Sequence, residues 1–178
     1  MNGKPPIIYL ARHGETAWSL SGQHTGLTDL PLTERGERNA RHLGERLGGL
    51  TFAEALVSPL QRAVRTCELA GFGEAGVIDR DLLEWDYGDY EGRRTSETHK
   101  ERPGWQLFRD GCPGGETPGH VAARADRVIA PCARYPGGCV DLLERAFSAG
   151  PGGSLAGPRT RGRPVLDAEH GEPECGQL

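Results

Sequence analysis

The stretch Ile7–Thr16, which reads IIYLARHGET, decides the fold of this chain. Its apolar start, with β-branched and aromatic members, is typical of a short buried strand. Gly14 is predicted to let the backbone turn sharply after Arg12 and His13. Because ligands of open α/β sheets bind just outside the carboxyl ends of strands, this pair is a candidate site. The Arg12 guanidinium suits a phosphate, and a neutral His13 imidazole can attack phosphorus, although a chance Arg-His turn is the alternative.

The composition limits the classes of protein that this chain can represent. A length of 178 residues suits one domain with a sizeable core, and a net charge of −4 does not favour nucleic acid or membrane as a partner. The apolar run near the start is too short for a signal peptide, and no stretch could span a bilayer. Five cysteines at irregular spacing predict reduced thiols in the cytoplasm and no zinc site. We therefore expect a cytoplasmic protein without a bound metal or cofactor.

The residues that follow the first motif, 17–33, are rich in Gly, Thr, Ser and Asp and predict a loop. Such a loop can bring four groups around a phosphate: Ser19, Gln23, Thr25 and the Gly26 amide. Its composition alone fits an ordinary surface loop equally well.

Two helices are predicted after this loop. Thr33 is a suitable N-cap for a helix over 34–47. A strand over 52–57 then runs into Ser58-Pro59, which predicts a second helix that starts there and ends near residue 71. Arg62 falls in its first turn, beside exposed N–H groups and the positive end of the dipole. This position suits a second phosphate arginine, and a solvated helix residue is the alternative.

Three segments carry a resemblance to a known family. ARHGET (11–16) and SPLQRAVRT (58–66) resemble signature motifs of the histidine phosphatase superfamily, also called phosphoglycerate-mutase-like, and EWDYGDYEG (84–92) is similar to its Glu followed by G-x-x-E-G. The likeness covers about the first 130 residues. It implies a three-layer α/β/α fold with a mostly parallel central sheet, whose C-terminal part is incomplete or irregular in this chain.

The resemblance also implies catalytic roles. His13 would form a phosphohistidine, while Arg12 and Arg62 would bind the phosphoryl oxygens. Glu84 would protonate the leaving alkoxide and then deprotonate the hydrolytic water. That role needs a raised pKa, which packing of Glu84 against aromatic neighbours can provide. Thr66 is interpreted as a support for the loop, and the remaining carboxylates of the third motif are interpreted as structural or rim residues: Asp86, Asp89 and Glu91.

The finer likeness is to one subgroup. GQHTGLTDLPLT, EWDYGDYEG and FRDGCPGGET together resemble broad acid phosphatases and a sedoheptulose bisphosphatase. This predicts a metal-independent phosphatase that acts on a small phosphorylated metabolite such as a sugar phosphate. Two alternatives stay open: a phosphoglycerate mutase, which needs a donor bisphosphate, and a catalytically dead remnant or pseudo-phosphatase that only binds phosphorylated ligands. Nothing in the sequence predicts the oligomeric state.

The family pattern is predicted to stop near residue 130. A helix over 120–130 should end at Pro131, with Val121, Ala125, Val128 and Ile129 inward, and the Gly-, Pro- and Arg-rich segment 131–178 has no clear strand. The family's second histidine, in a Gly-His pair after the next core strand, is missing.

A shifted reading frame explains this loss. Dropping one base from a back-translation of residues 140–149 gives W-I-C-S-S-G-H-F-L-R, an apolar strand that runs into Ser-Gly-His. We therefore divide the chain into a catalytic domain over 1–130 and an aberrant tail over 131–178. The tail is expected to be disordered and to result from a frameshift, either genuine or a sequencing error.

Overall fold

The computed structural model describes residues 7–132 and the backbone of residues 139–143. At its centre lies a four-stranded sheet in the order β1-β4-β2-β3, and every neighbouring pair is parallel. The fold is therefore α/β with a parallel sheet, as the sequence predicts. The strands are β1 (Ile8–Arg12), β2 (Ala55–Val57), β3 (Gly76–Ile78) and β4 (Cys139–Leu143).

Helices and short 3-10 segments connect these strands. Along the described ranges, no helix is long and apolar enough to cross a membrane. The helices are α1 (Ala17–Ser21), α2 (Glu34–Leu47), α3 (Gln61–Leu69), α4 (Thr95–Glu101), α5 (Leu107–Asp110) and α6 (Pro118–Cys132). The 3-10 segments are Arg80–Leu82 and Gly88–Tyr90.

The two faces of the sheet are covered by different helices. On one face, Ala11 and Val57 pack in a core cluster with residues of α2 and α3, among them Leu43. On the other face, Leu56 packs with Val128 of α6. Successive side chains of a strand point to opposite faces, so this alternation follows directly from the strand sequences. Helix, sheet and helix layers result, in agreement with the predicted three-layer arrangement.

Helix α2 follows the prediction, whereas α3 begins later than predicted. Thr33 caps α2 and accepts a hydrogen bond from the Gly36 N–H at 3.0 Å. Helix α3 begins at Gln61 and not at Ser58-Pro59. Its cap comes from a distant loop residue, because the Asp29 carboxylate accepts the Gln61 N–H at 2.8 Å. Local sequence therefore misplaced the start of α3, although Arg62 does lie in its first turn.

Three further local predictions need correction. Residues 17–21 are not loop but the short helix α1, because Thr16 and Ser19 form a capping box at its start. Ile129 is 41% exposed and does not face inward. Helix α6 continues through Pro131, which is followed by only one helical residue, so the hydrogen bond that proline cannot donate affects only the end of the helix.

Strand β4 corrects the prediction that no strand follows Pro131. Its backbone pairs with β1 and β2 at once, with Asp141 opposite both Leu10 and Leu56. Parallel pairing uses backbone groups of every residue, so a five-residue segment can fill the gap between two strands despite a polar member. The strand lies inside the segment assigned to an aberrant tail. The predictions for residues 133–138 and 144–178 fall outside the described residues.

Candidate active site

His13 lies directly after β1 and is 8% exposed. Its Nδ1 atom lies 2.7 Å from the Gly14 carbonyl oxygen. Because a carbonyl oxygen only accepts hydrogen bonds, Nδ1 must carry the proton. In the neutral ring, the in-plane lone pair is then on Nε2. The local backbone thus selects the tautomer that a nucleophilic imidazole needs.

Gly14 serves a close approach of two chain segments and not the predicted sharp turn. Its φ angle is not positive, so no left-handed conformation requires glycine here. A Cβ on Gly14 would instead lie 2.3 Å from the Gly36 carbonyl oxygen, and a Cβ on Gly36 would lie 2.2 Å from the Glu15 carbonyl oxygen. Both positions must lack a side chain for the first turn of α2 to pack against the His13 segment.

Thr66 of α3 supports the same segment, and not the loop to which the sequence assigned it. Its hydroxyl accepts the Gly14 N–H at 3.1 Å and donates to the Arg62 carbonyl oxygen at 2.7 Å. Thr66 is fully buried, so these bonds satisfy groups that water does not reach. The His13 segment is therefore fixed by α2 on one side and by α3 on the other.

Arg62 is completely buried, and its guanidinium holds the loop that follows α1. Its Nη atoms donate to the carbonyl oxygens of Gly26 and Thr28 at 2.8 Å and of Thr25 at 3.5 Å. The structure thus brings together three of the predicted substrate-binding residues. Arg12 is the last residue of β1, is partly buried, and precedes His13 directly.

The Gly26 N–H forms hydrogen bonds that the sequence did not predict. It donates to both carboxylate oxygens of Glu91, at 2.9 and 3.0 Å, and Thr28 N–H donates to the same carboxylate at 3.0 Å. A carboxylate therefore takes the place proposed for phosphate at this amide. Glu91 itself has a structural role, as predicted, because its charge satisfies two loop donors at once.

Two other predicted loop ligands also serve the loop itself. The Ser19 hydroxyl accepts the Thr16 N–H at 2.9 Å as part of the α1 capping box. The Gln23 amide donates to the Gly92 carbonyl oxygen at 2.8 Å, and the Thr25 hydroxyl donates to the Gln23 carbonyl oxygen at 3.3 Å. In the structure, these groups, which the sequence assigned to substrate, form hydrogen bonds within the protein.

Glu84 lies in irregular backbone and is 4% exposed. Its carboxylate accepts the Trp85 N–H at 2.8 Å. This segment touches the loop closely, because a Cβ on Gly26 would lie 2.4 Å from the Trp85 carbonyl oxygen and 3.0 Å from Cδ2 of Tyr87. The loop over 25–28 therefore contacts Arg62 on one side and the Glu84 segment on the other.

Two residues of the Glu84 side were missed by the sequence reasoning. Arg124 of α6 and Glu116 form a largely buried ion pair at 2.7 Å. Glu116 stood at the end of the quoted motif FRDGCPGGET, but its partner lies eight residues further on without any local signal. Burial raises the pKa of Glu116, but hydrogen bonds from Arg124 and the Asp86 N–H outweigh that effect, so its pKa is below the ordinary value.

Other reactive groups in the described chain are inert or scattered. Burial raises the pKa of the Cys67 thiol to about 11 and that of the Cys112 thiol to about 12, so neither is a thiolate near neutral pH. Within the described residues, no three His, Cys, Asp or Glu side chains are grouped to hold a metal ion.

Comparison with known proteins identifies the family. The sequence profile described as histidine phosphatase superfamily (branch 1) matches residues 8–140. The chain belongs to the histidine phosphatase superfamily. The match extends past residue 130, where the family pattern was predicted to stop, and into strand β4.

Two relatives of this histidine phosphatase are named as phosphatases. An acid phosphatase of Mycobacterium tuberculosis is 42% identical over 125 residues, covering 69% of this chain and 61% of the relative. A sedoheptulose 1,7-bisphosphatase of Saccharomyces cerevisiae is 40% identical over 149 residues, covering 70% and 55%. The chain thus spans less than two thirds of these relatives. A solved structure of an open reading frame product from Mycobacterium tuberculosis superposes with a TM-score of 0.74 at 36% identity, covering 79% of this chain and 74% of that one.

Proposed function

We propose that this protein is a metal-independent phosphatase that hydrolyses small phosphomonoesters, such as sugar phosphates, through a phosphohistidine on His13. The observation that carries the proposal is the 2.7 Å contact between His13 Nδ1 and the Gly14 carbonyl oxygen. It leaves the lone pair of the neutral ring on Nε2, at the carboxyl end of a sheet strand. The phosphatase names of the relatives support the class of substrate.

The proposed reaction has two steps. First, His13 Nε2 attacks phosphorus, the bond from phosphorus to the leaving oxygen breaks, and Glu84 gives its proton to that oxygen. Second, water attacks phosphorus, Glu84 takes the proton of the water, and the phosphorus–nitrogen bond breaks to release phosphate and restore His13. Arg12 and Arg62 supply positive charge to the phosphoryl oxygens in both steps. Glu84 is 4% exposed, so its proton transfer would take place shielded from bulk water.

The direct test is to trap the intermediate. The frame-restored protein is mixed with p-nitrophenyl phosphate, quenched in alkali, and searched by mass spectrometry for acid-labile, alkali-stable phosphate. We expect phosphate on the peptide that contains His13 and none in His13→Asn. His42→Asn is the matched control, since His42 is exposed on α2. EDTA should leave the rate of nitrophenol release unchanged.

Two results would contradict this mechanism. One is nitrophenol release at the normal rate in His13→Asn, which would require another nucleophile. The other is strong inhibition by EDTA, which would indicate a metal-dependent route. Isomer exchange that requires a bisphosphate and releases no phosphate would instead favour the mutase alternative.

A second candidate function is binding of phosphorylated ligands without turnover. The family resemblance expects a Gly-His pair after the next core strand, and β4 is followed by Glu144-Arg145-Ala146-Phe147-Ser148. Losing one donor that stabilises a transition state typically costs on the order of a hundred- to a thousand-fold in rate. Phosphate binding with neither phosphohistidine nor phosphate release would support this candidate over the phosphatase.

We also propose that the segment from about residue 131 derives from a shifted reading frame. Its Gly, Pro and Arg content supports this, whereas the family match to residue 140 and strand β4 argue for a later start. We expect the 178-residue chain to be poorly soluble and nearly inactive, and restoration of the frame near codon 130 to rescue both properties. Resequencing that region is the first measurement. A soluble 178-residue chain with cooperative melting and ordinary turnover would contradict the proposal.

A further inference from the structure

The ion pair between Arg124 and Glu116 holds more than its two charges. Arg124 Nε and Nη2 donate to the two carboxylate oxygens of Glu116, each at 2.7 Å. Its Nη1 donates to the carbonyl oxygens of Asp81 at 2.6 Å and of Leu83 at 2.8 Å. One guanidinium therefore joins α6, Glu116 and the backbone that leads into Glu84.

Glu116 fixes the other side of the same segment. Its carboxylate accepts the Asp86 N–H at 3.0 Å, and its own N–H donates to the Asp86 carbonyl oxygen at 2.9 Å. Its carbonyl oxygen accepts Nε1 of Trp85 at 3.2 Å. The pair therefore holds the backbone at residues 81 and 83 before Glu84, and at residue 86 after it.

This arrangement matters because residues 84–87 have no regular secondary structure. A strand or helix would fix the direction of Glu84 through repeated backbone bonds, and none of that support is present here. A two-pronged contact between arginine and carboxylate has a fixed geometry, and the lowered pKa of Glu116 keeps it charged near neutral pH. Removing one partner of such a pair leaves the other charge buried and uncompensated.

We propose that Arg124 and Glu116 are positioning residues for Glu84. They fix the backbone on both sides of the carboxylate that acts as the general acid. This inference rests on the proposed function, because it assumes that protonation of the leaving group is the task of Glu84. The inference means that the pair affects protonation of the leaving group as well as the stability of the fold.

The test compares two substrates in the frame-restored protein, because the 178-residue chain is expected to be nearly inactive. Single-turnover transfer to His13 is measured with p-nitrophenyl phosphate, whose leaving group needs little protonation, and with glycerol phosphate, whose leaving group needs it fully. The quantity of interest is the ratio of the two rates. A variant that merely unfolds more loses both rates equally, so the ratio separates positioning from stability.

Four variants make the comparison. Glu84→Gln is the reference and should change the ratio by on the order of a hundred-fold. Glu116→Gln should change it in the same direction by about ten-fold or more, because a small misplacement of a catalytic group has effects of that size. Arg124→Lys should do the same, since an ammonium group cannot reproduce the fork of the guanidinium. Arg127→Gln is the matched control, because Arg127 pairs from the same helix with the Asp81 side chain at 2.6 Å.

The outcomes are distinguishable. If Glu84→Gln changes the ratio and Glu116→Gln does not, the positioning role is overturned while the proposed function stands. If Glu84→Gln leaves the ratio unchanged, the proposed acid is wrong and the positioning role falls with it. Amide hydrogen exchange provides a readout without turnover. We expect faster exchange over residues 81–86 in Glu116→Gln, with α3 and the Arg127→Gln control unchanged, and equal protection in all variants would also overturn the inference.

Discussion

The two ends of the candidate active site are held by different kinds of interaction. His13 follows a sheet strand, and its segment is fixed by backbone pairing, by the contact of Gly14 with Gly36, and by Thr66. Glu84 lies in irregular backbone that Arg124 and Glu116 hold through side chains. The proposed nucleophile is thus positioned by the fold, whereas the proposed acid is positioned by a few distant residues.

This difference has a consequence for evolution and for mutation. Changing the His13 end requires changing the packing of the sheet and α2, which costs stability. Changing the Glu84 end requires only a side chain on α6 or in the segment before it. We therefore expect variants at the His13 end to affect folding and all substrates together, and variants at the Glu84 end to affect substrates selectively.

The largest contrast should come from the two proposed catalytic residues. In the frame-restored protein, His13→Ala should abolish turnover of every substrate, because alanine cannot form the phosphohistidine intermediate. Glu84→Gln should slow hydrolysis of glycerol phosphate on the order of a hundred-fold more than that of p-nitrophenyl phosphate. Single-turnover transfer to His13 with both substrates provides the measurement, because the second step also uses Glu84 and is the same for both. Equal losses in Glu84→Gln would show that this carboxylate has another role.

The next effect concerns the contact of α2 with the His13 segment. Gly36→Ala places a Cβ 2.2 Å from a backbone oxygen, so we expect a loss of about 2–3 kcal/mol in the free energy of unfolding. Helix propensity alone predicts the opposite, a gain of up to about 1 kcal/mol. Gly119→Ala in α6 is the control, because a Cβ there lies 3.8 Å from its nearest neighbour. Urea unfolding of both variants decides between packing and propensity.

Thr66 allows a smaller test of the same end. Thr66→Val keeps the shape but leaves the buried Gly14 N–H without its acceptor, so we expect a loss of about 1–2 kcal/mol in stability. Thr98→Val is the control, since Thr98 is equally buried and its hydroxyl makes only a 3.5 Å contact within its own helix. Thermal unfolding should show a larger loss of stability in Thr66→Val than in Thr98→Val. Equal losses of stability would show that the Thr66 hydroxyl does not stabilise the His13 segment.

The same contrast explains what could be predicted from the sequence. Strand β1, the Thr33 cap and the place of Arg62 depend on neighbours in the chain, and the structure agrees with them. The family motifs identified the loop over 19–26 but not its internal bonds, because Glu91 and Gly92 reach it from a distant segment.

The predictions that the structure corrects were wrong for one physical reason. The start of α3 depends on Asp29, which lies 32 residues before the amide that it caps. Strand β4 owes its place to the backbones of β1 and β2, which accept a segment with a weak strand pattern. Arg124 lies in a helix whose pattern marks it as an ordinary polar position. None of these features has a signal within one turn or one strand of the residue concerned.

The smallest effect should come from the exposed ion pair that neighbours the positioning pair. Arg127 and Asp81 also join α6 to the 3-10 segment, but the Arg127 side chain is 57% exposed. Solvated pairs of this kind contribute little to stability, so Arg127→Gln should lower the free energy of unfolding only slightly. Hydrogen bonding to Arg127 lowers the pKa of Asp81 below its ordinary value.

The lowered pKa of Asp81 determines how the contribution of this ion pair to stability changes with pH. The pair's contribution is present above the unfolded-state pKa of Asp81 and is lost as the pH falls through its lowered folded-state pKa. The gap in stability between Arg127→Gln and the parent should therefore close in acid, and it should also close in about 1 M salt, where exposed charges are screened. Unfolding at neutral pH, at acid pH and in high salt measures the gap. A loss of stability several times larger than this, if it persists in salt, would contradict the prediction. It would mean that an exposed side chain of α6 holds the Glu84 segment as firmly as the buried pair of Arg124 and Glu116 does.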